Sequence, residues 1–248
     1  MEVQATTLDL WPTRVWFFET PVDWAVNRQL AEEAVAAVGV LDGAMDGKPC
    51  PQSGSIVLGG SEQFYWARDR AAPPTPYALP WRTPLGASKR RVRGILERSA
   101  AGQALKGHLF ACARAVLGSW APYLDPDHCE NRALVMMPGA FISTHKDSRE
   151  GDLTCVHFLT GGGAGQPVNS VGTPRFVIED PSRYFDEGRL PFEDRHGFSV
   201  NPCPGLSVFF PSHIPHNQHP YEGRTPHVQV VANFRVNLPS AIEERLFD

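Results

Sequence analysis

An α+β fold, a double-stranded β-helix (jelly-roll) barrel supported by N-terminal helices, is the architecture this 248-residue sequence predicts. Three observations carry it. Helical spacing of apolar residues is confined to the first half, at 24–38 and 103–120. From Ala133 onward almost every apolar run reads as strand. Those strands are broken by Gly- and Pro-rich turns and carry a set of metal-type side chains. A chain of this length, 42% hydrophobic and 20% charged, has ample material for a sizeable core. The expected organisation is a single domain over 1–248, with 1–130 as helical support and lid segments and 131–238 as the jelly-roll core.

Taken in order, Trp16, Phe17 and Phe18 open a short apolar strand that stops at Pro21. Residues 24–38 combine helical apolar spacing with good helix formers, Ala31 to Ala34 among them. The segment 41–85 holds Pro49, Pro51, Pro73, Pro74, Pro76, Pro80 and Pro84, so it predicts a long irregular excursion with one short strand at 56–58. Loops of that length commonly serve as lids, and Phe64, Tyr65 and Trp66 either pack on the core or line a pocket. A second helix at 103–120 puts Leu105, Leu109, Ala113, Val116 and Leu117 on one face. Strands are then expected at 132–137, 140–144, 153–159, 176–178, 206–210 and 228–236. The glycine-rich run 161–165 lacks a following G-K-[ST] and predicts a hairpin connector rather than a phosphate loop. Residues 181–204 predict a solvated excursion, or a wall over the pocket.

The chemistry concentrates at His145-Lys146-Asp147. Pro138-Gly139 makes a turn, and the strand after it delivers His145 and Asp147 at its end. Residues two apart on extended chain point the same way, so both side chains can reach one metal ion. Two imidazoles and one carboxylate on one face of an Fe(II) octahedron leave the opposite positions open, the arrangement of non-haem iron oxygenases. A second short motif, His128-Cys129-Glu130, follows Asp125-Pro126-Asp127, which reads as a polar turn with no incoming strand and so as a surface feature. His213, His216 and His219 are spaced by three, but Pro211, Pro215 and Pro220 exclude a helix there. In extended chain His216 faces opposite to the other two.

The order PG-x-x-I-x-x-H-x-D (Pro138 to Asp147), then G-L-x-V-F-F-P-S-x-x-x-H (Gly205 to His216), then a last strand with Asn233-Phe234 resembles the 2-oxoglutarate/Fe(II)-dependent oxygenases, near their prolyl-hydroxylase-like branch. The resemblance covers roughly 131–236. It implies His216 as the second imidazole beside His145 and Asp147, Fe(II) and 2-oxoglutarate as cofactor and co-substrate, and O2 as oxidant. It also implies release of succinate and CO2 coupled to oxidation of a small molecule, amino-acid-like or of natural-product type. Relatives that halogenate have a small residue in place of the carboxylate; Asp147 implies a hydroxylase. The family usually anchors the distal carboxylate of 2-oxoglutarate with Arg or Lys near the start of the last strand. Here those positions hold His227 and Gln229. A buried carboxylate needs a charge-assisted partner, so the expected anchor is Arg224, with His227 beside it as a donor and Arg175 as the alternative. His157, Arg149 and the aromatic residues around Tyr65 are candidates for choosing the substrate.

A net charge of −4 offers no basic footprint for a nucleic-acid backbone. No signal-peptide pattern or long apolar window appears, so a cytoplasmic protein without membrane partners is expected. Five widely spaced cysteines without C-x-x-C predict free thiols. Two other readings stay open, a cupin-type single-metal dioxygenase and a non-catalytic jelly-roll ligand-binding protein. Succinate release would separate the first from the oxygenase reading, and failure to bind Fe(II) would favour the second.

Overall fold

The computed structural model describes residues 5–10, 13–21, 24–43, 89–136, 140, 142–161, 176–179, 197–218 and 226–238. Two antiparallel sheets face each other. The larger has seven strands in the order β1 (Ala5–Leu10), β2 (Thr13–Glu19), β9 (Leu206–Pro211), β6 (Leu153–Phe158), β11 (His227–Val236), β4 (Leu124–Met136), β3 (Lys89–Arg93). The smaller has four, β5 (Ile142–His145), β10 (His216–Gln218), β7 (Phe176–Glu179) and β8 (Gly197–Val200). Chain-neighbouring strands alternate between the sheets from β4 through β7, the winding of a jelly roll.

Period-two alternation separates two cores. On one face of the large sheet Ala133, Val135, Val228, Val230, Ala232 and Phe234 pack under α1 (Ala25–Gly43) and α2 (Ala100–Leu117), joined by Leu30, Leu105 and Leu109 from the helices. On the other face Leu134, Val156, Phe158, Val208, Phe210 and Val231 meet Ile142, Phe176 and Ile178 of the small sheet. At about 1.5–3 kcal/mol per large apolar side chain taken out of water, both layers contribute to stability. Ser99 caps α2 by accepting from Gly102 N–H at 3.1 Å and donates to Glu33 on α1 at 2.8 Å, so one hydroxyl starts the helix and ties the pair together.

The turn before β9 requires glycine. Gly205 has φ +88°, and a Cβ there would lie 2.6 Å from Thr20 Oγ1. Its carbonyl accepts from Thr20 N–H at 2.9 Å and its N–H donates to Phe158 carbonyl at 2.8 Å, so the turn before β9 is pinned between β2 and β6.

Several sequence expectations need correction. Asp125 to His128 lies within β4 rather than in an isolated turn, although Asp125 Oδ1 does accept from the Asp127 and His128 N–H groups as a turn would. The pairing of β4 with β11 is irregular near that end, which lets turn chemistry sit at the start of a strand. Strands β6 and β7, on either side of the glycine-rich run, do not pair with each other, since β6 pairs with β9 and β11 whereas β7 pairs with β8 and β10; beyond Gly161 the run lies outside the described residues. Part of the 181–204 excursion is β8, and α1 runs on to Gly43. The strand expected at 56–58 and the aromatic residues 64–66 lie outside the described residues. Among the described residues no helix is long and apolar enough to cross a membrane, and Cys112, Cys129, Cys155 and Cys203 are free thiols.

Candidate metal centre

The small sheet brings His145 and His216 together by strand register. They are directly paired residues of β5 and β10, with ring centroids 4.3 Å apart. Asp147 follows β5 by two residues, and its N–H donates to Ser212 carbonyl at 3.0 Å, which holds the turn against the chain leading into β10. His145 Nε2 is 3.6 Å from Asp147 Oδ1, and His216 Nε2 is 3.8 Å from Asp147 Oδ2. Each distance is shorter than two metal–ligand bonds of about 2.0–2.2 Å laid end to end, so one ion can sit between each pair. His145, Asp147 and His216 are the one His/Cys/Asp/Glu group of this kind among the described residues, with ligand atoms all within 4.8 Å of one another.

Two further features suit these side chains to a metal ion. His216 Nδ1 lies 3.0 Å from Ile214 carbonyl, which can only accept, so Nδ1 carries the proton and Nε2 presents its lone pair to the others. Asp147 Oδ2 is buried with no hydrogen-bond partner among the described residues. A carboxylate oxygen left so is costly unless a cation occupies the space it faces. Burial by itself would raise the Asp147 pKa, but electrostatic interaction with His216, Arg132, His145 and Arg91 outweighs it and holds the carboxyl below its usual value.

Behind Asp147 runs a chain of hydrogen bonds across the lumenal face of the large sheet. Ser212 and Thr154 hydroxyls are 2.8 Å apart, Thr154 donates to Asn233 Oδ1 at 2.8 Å, and Asn233 donates to Glu150 Oε2 at 2.8 Å. Arg132, buried on β4, donates to that same Glu150 oxygen through Nη1 and to Asp147 Oδ1 at 3.3 Å through Nη2. Asp147 Oδ1, the oxygen nearer His145, is thereby fixed by a guanidinium, and Oδ2 faces His216. Sequence reading missed Arg132 and Glu150. For Arg132 the only signal was the alternation of β4, which sends Arg132 and Leu134 to the lumen, and Glu150, in the turn after Asp147, had none.

The three residues open onto a cavity of about 330 Å³, its open mouth included. Leu134, Val156 and Phe176 supply apolar wall, while Arg91, Arg132 and Gln229 are polar lining. His145 stands at the rim with a third of its side chain exposed; Asp147 and His216 are buried.

Other candidates fall elsewhere. His227 is buried on β11 but is not among the cavity-lining residues. Its Nε2 lies 3.2 Å from Gln218 Nε2 and 3.3 Å from Gln229 Oε1, and burial pushes its pKa down to about 4, so it is neutral at pH 7. Arg224 and Arg175 lie outside the described residues. His128 Nε2 is 3.1 Å from Glu150 carbonyl, away from the cluster, and His213 is exposed. His157 faces the helices instead of the lumen: Nε2 donates to Asn27 Oδ1 of α1 at 2.9 Å and Nδ1 accepts from Ser207 at 2.7 Å. It is a strut between sheet and helix, not a pocket residue. Arg149 is exposed in the turn after Asp147.

No family model matches the sequence, and no curated protein matches it. Solved structures do. A prolyl-4-hydroxylase of Pseudomonas putida is 19% identical with a TM-score of 0.42, over 57% of this chain and 69% of that one. The non-haem alpha-ketoglutarate dependent epimerase SnoN from nogalamycin biosynthesis is 13% identical with a TM-score of 0.44, over 70% and 69%. An oxidoreductase of the 2OG-Fe(II) oxygenase family from Burkholderia pseudomallei is 13% identical with a TM-score of 0.39, over 68% and 76%.

Proposed function

We propose that the protein is an Fe(II)/2-oxoglutarate-dependent oxygenase that hydroxylates a small molecule. The observation that supports it most is the convergence of His145, Asp147 and His216 on a jelly-roll cavity, with the buried Asp147 Oδ2 facing His216. Bound there, Fe(II) with 2-oxoglutarate supplies the oxidation of an unactivated C–H bond by O2, one oxygen atom going to the substrate and the other to the succinate that leaves with CO2. The chain's own part is positional. His216 is locked in one tautomer by Ile214 carbonyl, and Asp147 is held by Arg132 and by the Ser212 carbonyl. Leu134, Val156 and Phe176 keep water from the inner end, and Gln229 offers an uncharged hydrogen-bonding group in the lumen.

Purified protein loaded anaerobically with Fe(II) should develop a charge-transfer absorbance on addition of 2-oxoglutarate. Admission of O2 should then release succinate, and EDTA should stop it. Release of oxidised product without succinate would replace this reading with a cupin-type dioxygenase. Failure to take up Fe(II) would leave a ligand-binding jelly roll.

A further inference from the structure

We infer that Glu150 is a positioning residue for the metal centre: by holding one arm of the Arg132 guanidinium it stops that fork from closing on both oxygens of Asp147, and so keeps Oδ2 available to an ion. This role requires the metal centre of the reading above, whatever the co-substrate.

Backbone contacts fix where Glu150 stands. Its N–H donates to Asp147 carbonyl at 2.8 Å, closing the turn that follows the carboxylate ligand. Its own carbonyl, which can only accept, takes the Nε2–H of His128 at 3.1 Å. His128 is held in turn by its backbone N–H, which donates to Asp125 Oδ1 at 3.2 Å. The turn is thereby strapped to β4, the strand that carries Arg132, and the second His-x-Glu motif gains a purpose away from any metal. The Glu150 side chain is held as well. Oε2 accepts from Arg132 Nη1 and, at 2.8 Å, from Nδ2 of the fully buried Asn233 on β11.

The two Nη groups of an arginine form a rigid fork that matches the two oxygens of one carboxylate. Arg132 divides its fork instead. Nη2 donates to Asp147 Oδ1 at 3.3 Å and Nη1 to Glu150. With only 4% of the Arg132 side chain exposed, an Nη1 released by Glu150 would need another acceptor inside the protein. Asp147 Oδ2 is buried, has no hydrogen-bond partner among the described residues, and belongs to the carboxylate that Nη2 already holds. A two-armed Arg132–Asp147 pair would then compete with the ion for that oxygen. Glu150 prevents this through Arg132, and what matters is the reach of its oxygen rather than its charge.

The full chain is titrated anaerobically with Fe(II), and with Co(II), whose visible absorption reports its ligands. Wild type is compared with Glu150→Asp, Glu150→Gln, Arg132→Met and the double variant Glu150→Asp/Arg132→Met. A wild type that takes up neither ion overturns the metal-centre reading and this role with it; the remaining outcomes bear on Glu150 alone. Glu150→Asp keeps the charge but withdraws it by one methylene. It should weaken Fe(II) binding by about 10- to 100-fold, the range for losing a partner that supports a metal ligand. It should also change the Co(II) spectrum, which a loss of stability alone would not. Glu150→Gln keeps one oxygen at full reach, able to accept from both Arg132 and Asn233, and should bind nearly as wild type. In the Arg132→Met background, Glu150→Asp should add little further loss. Wild-type affinity in Glu150→Asp overturns the assignment, and so does the reverse ranking, with Asp strong and Gln weak, since charge rather than position would then matter. An undiminished effect of Glu150→Asp without Arg132 overturns it too.

Discussion

The two faces of the large sheet each bury a polar cluster in an apolar surround, and the clusters differ in one respect. On the helix side, Ser207 donates to His157, His157 to Asn27, Asn27 to Thr20 at 3.3 Å, and Thr20 to Gly205 carbonyl at 3.2 Å. Both ring nitrogens of His157 are used, and the chain ends on a backbone acceptor. On the lumenal side, the chain from Ser212 to Arg132 ends on Asp147, whose Oδ2 has no hydrogen-bond partner, and Arg132 Nε has none either, among the described residues. A closed cluster gains what it can from its hydrogen bonds and acts as scaffold. An open one holds unspent affinity for something else. The same sheet supplies both because alternation sends successive residues to opposite faces.

If the contrast is right, lumenal changes should destroy binding, and helix-side changes should cost stability while leaving the centre's affinity alone. The largest effect is expected for Asp147→Ala and His216→Ala. Each should lower Fe(II) affinity by more than about 100-fold, beyond the range seen when only a ligand's supporting partner is lost. Circular dichroism should show the fold retained. Binding at wild-type strength in either variant would show that the open cluster is not a metal centre.

Next comes Arg132→Met. Removing one partner of a buried charge group should destabilise the metal-free protein by about 3–5 kcal/mol in denaturant unfolding. Iron affinity should also weaken, because Asp147 loses the guanidinium that fixes Oδ1. A stability loss with unchanged iron affinity would make Arg132 a structural residue only.

On the helix side the effect should appear as acid sensitivity. Burial lowers the His157 pKa from 6.5 to about 3, so the folded protein keeps it neutral while the unfolded chain takes up a proton. The stability associated with neutral His157 is then fully present above pH 6.5 and is lost as pH falls toward about 3. His227, lowered to about 4, adds in the same direction. Urea unfolding at pH 7, 6, 5 and 4 should show stability falling, and His157→Gln should fall less steeply over that range. A parallel slope would show that His157 is not responsible. The smallest expected change is Ser99→Ala, about 1 kcal/mol from loss of the α2 cap. Iron affinity should match wild type, and a change in it would blur the contrast between the faces.

How much of this could be read from the chain differs by region for physical reasons. His145 and Asp147 were legible because a two-residue spacing at the end of a strand is a local property. The helices were legible because 18 or 19 residues give several turns of periodicity. Strands β5, β8 and β10, of four, four and three residues, are too short for alternation to stand out; one motif marked β5, and the motif ending at His216 reached only the first residue of β10. β3 was hidden differently. Lys89-Arg90-Arg91-Val92-Arg93 reads as a charge run, yet Val92 packs under the helices and Arg91 lines the lumen. What recruits such a segment is an open edge on β4, and no neighbour in sequence shows that edge. The Arg132–Asp147 contact was equally hidden, since residues 15 apart meet only after the two sheets close on each other.

The pairing of His145 with His216 makes strand alignment and donor geometry one variable. A slip of a single residue between β5 and β10 would turn one imidazole outward, together with the rest of that strand's buried face. With three or four residues per strand, few apolar contacts oppose such a slip. A divalent ion discriminates strongly, because only the aligned form offers it three donors. By mass action it would draw misaligned chains toward that form. The centre would therefore inspect the assembly of its own sheet, and yields of correctly folded protein should rise when refolding is carried out with Fe(II), or with an inert divalent substitute, present from the start.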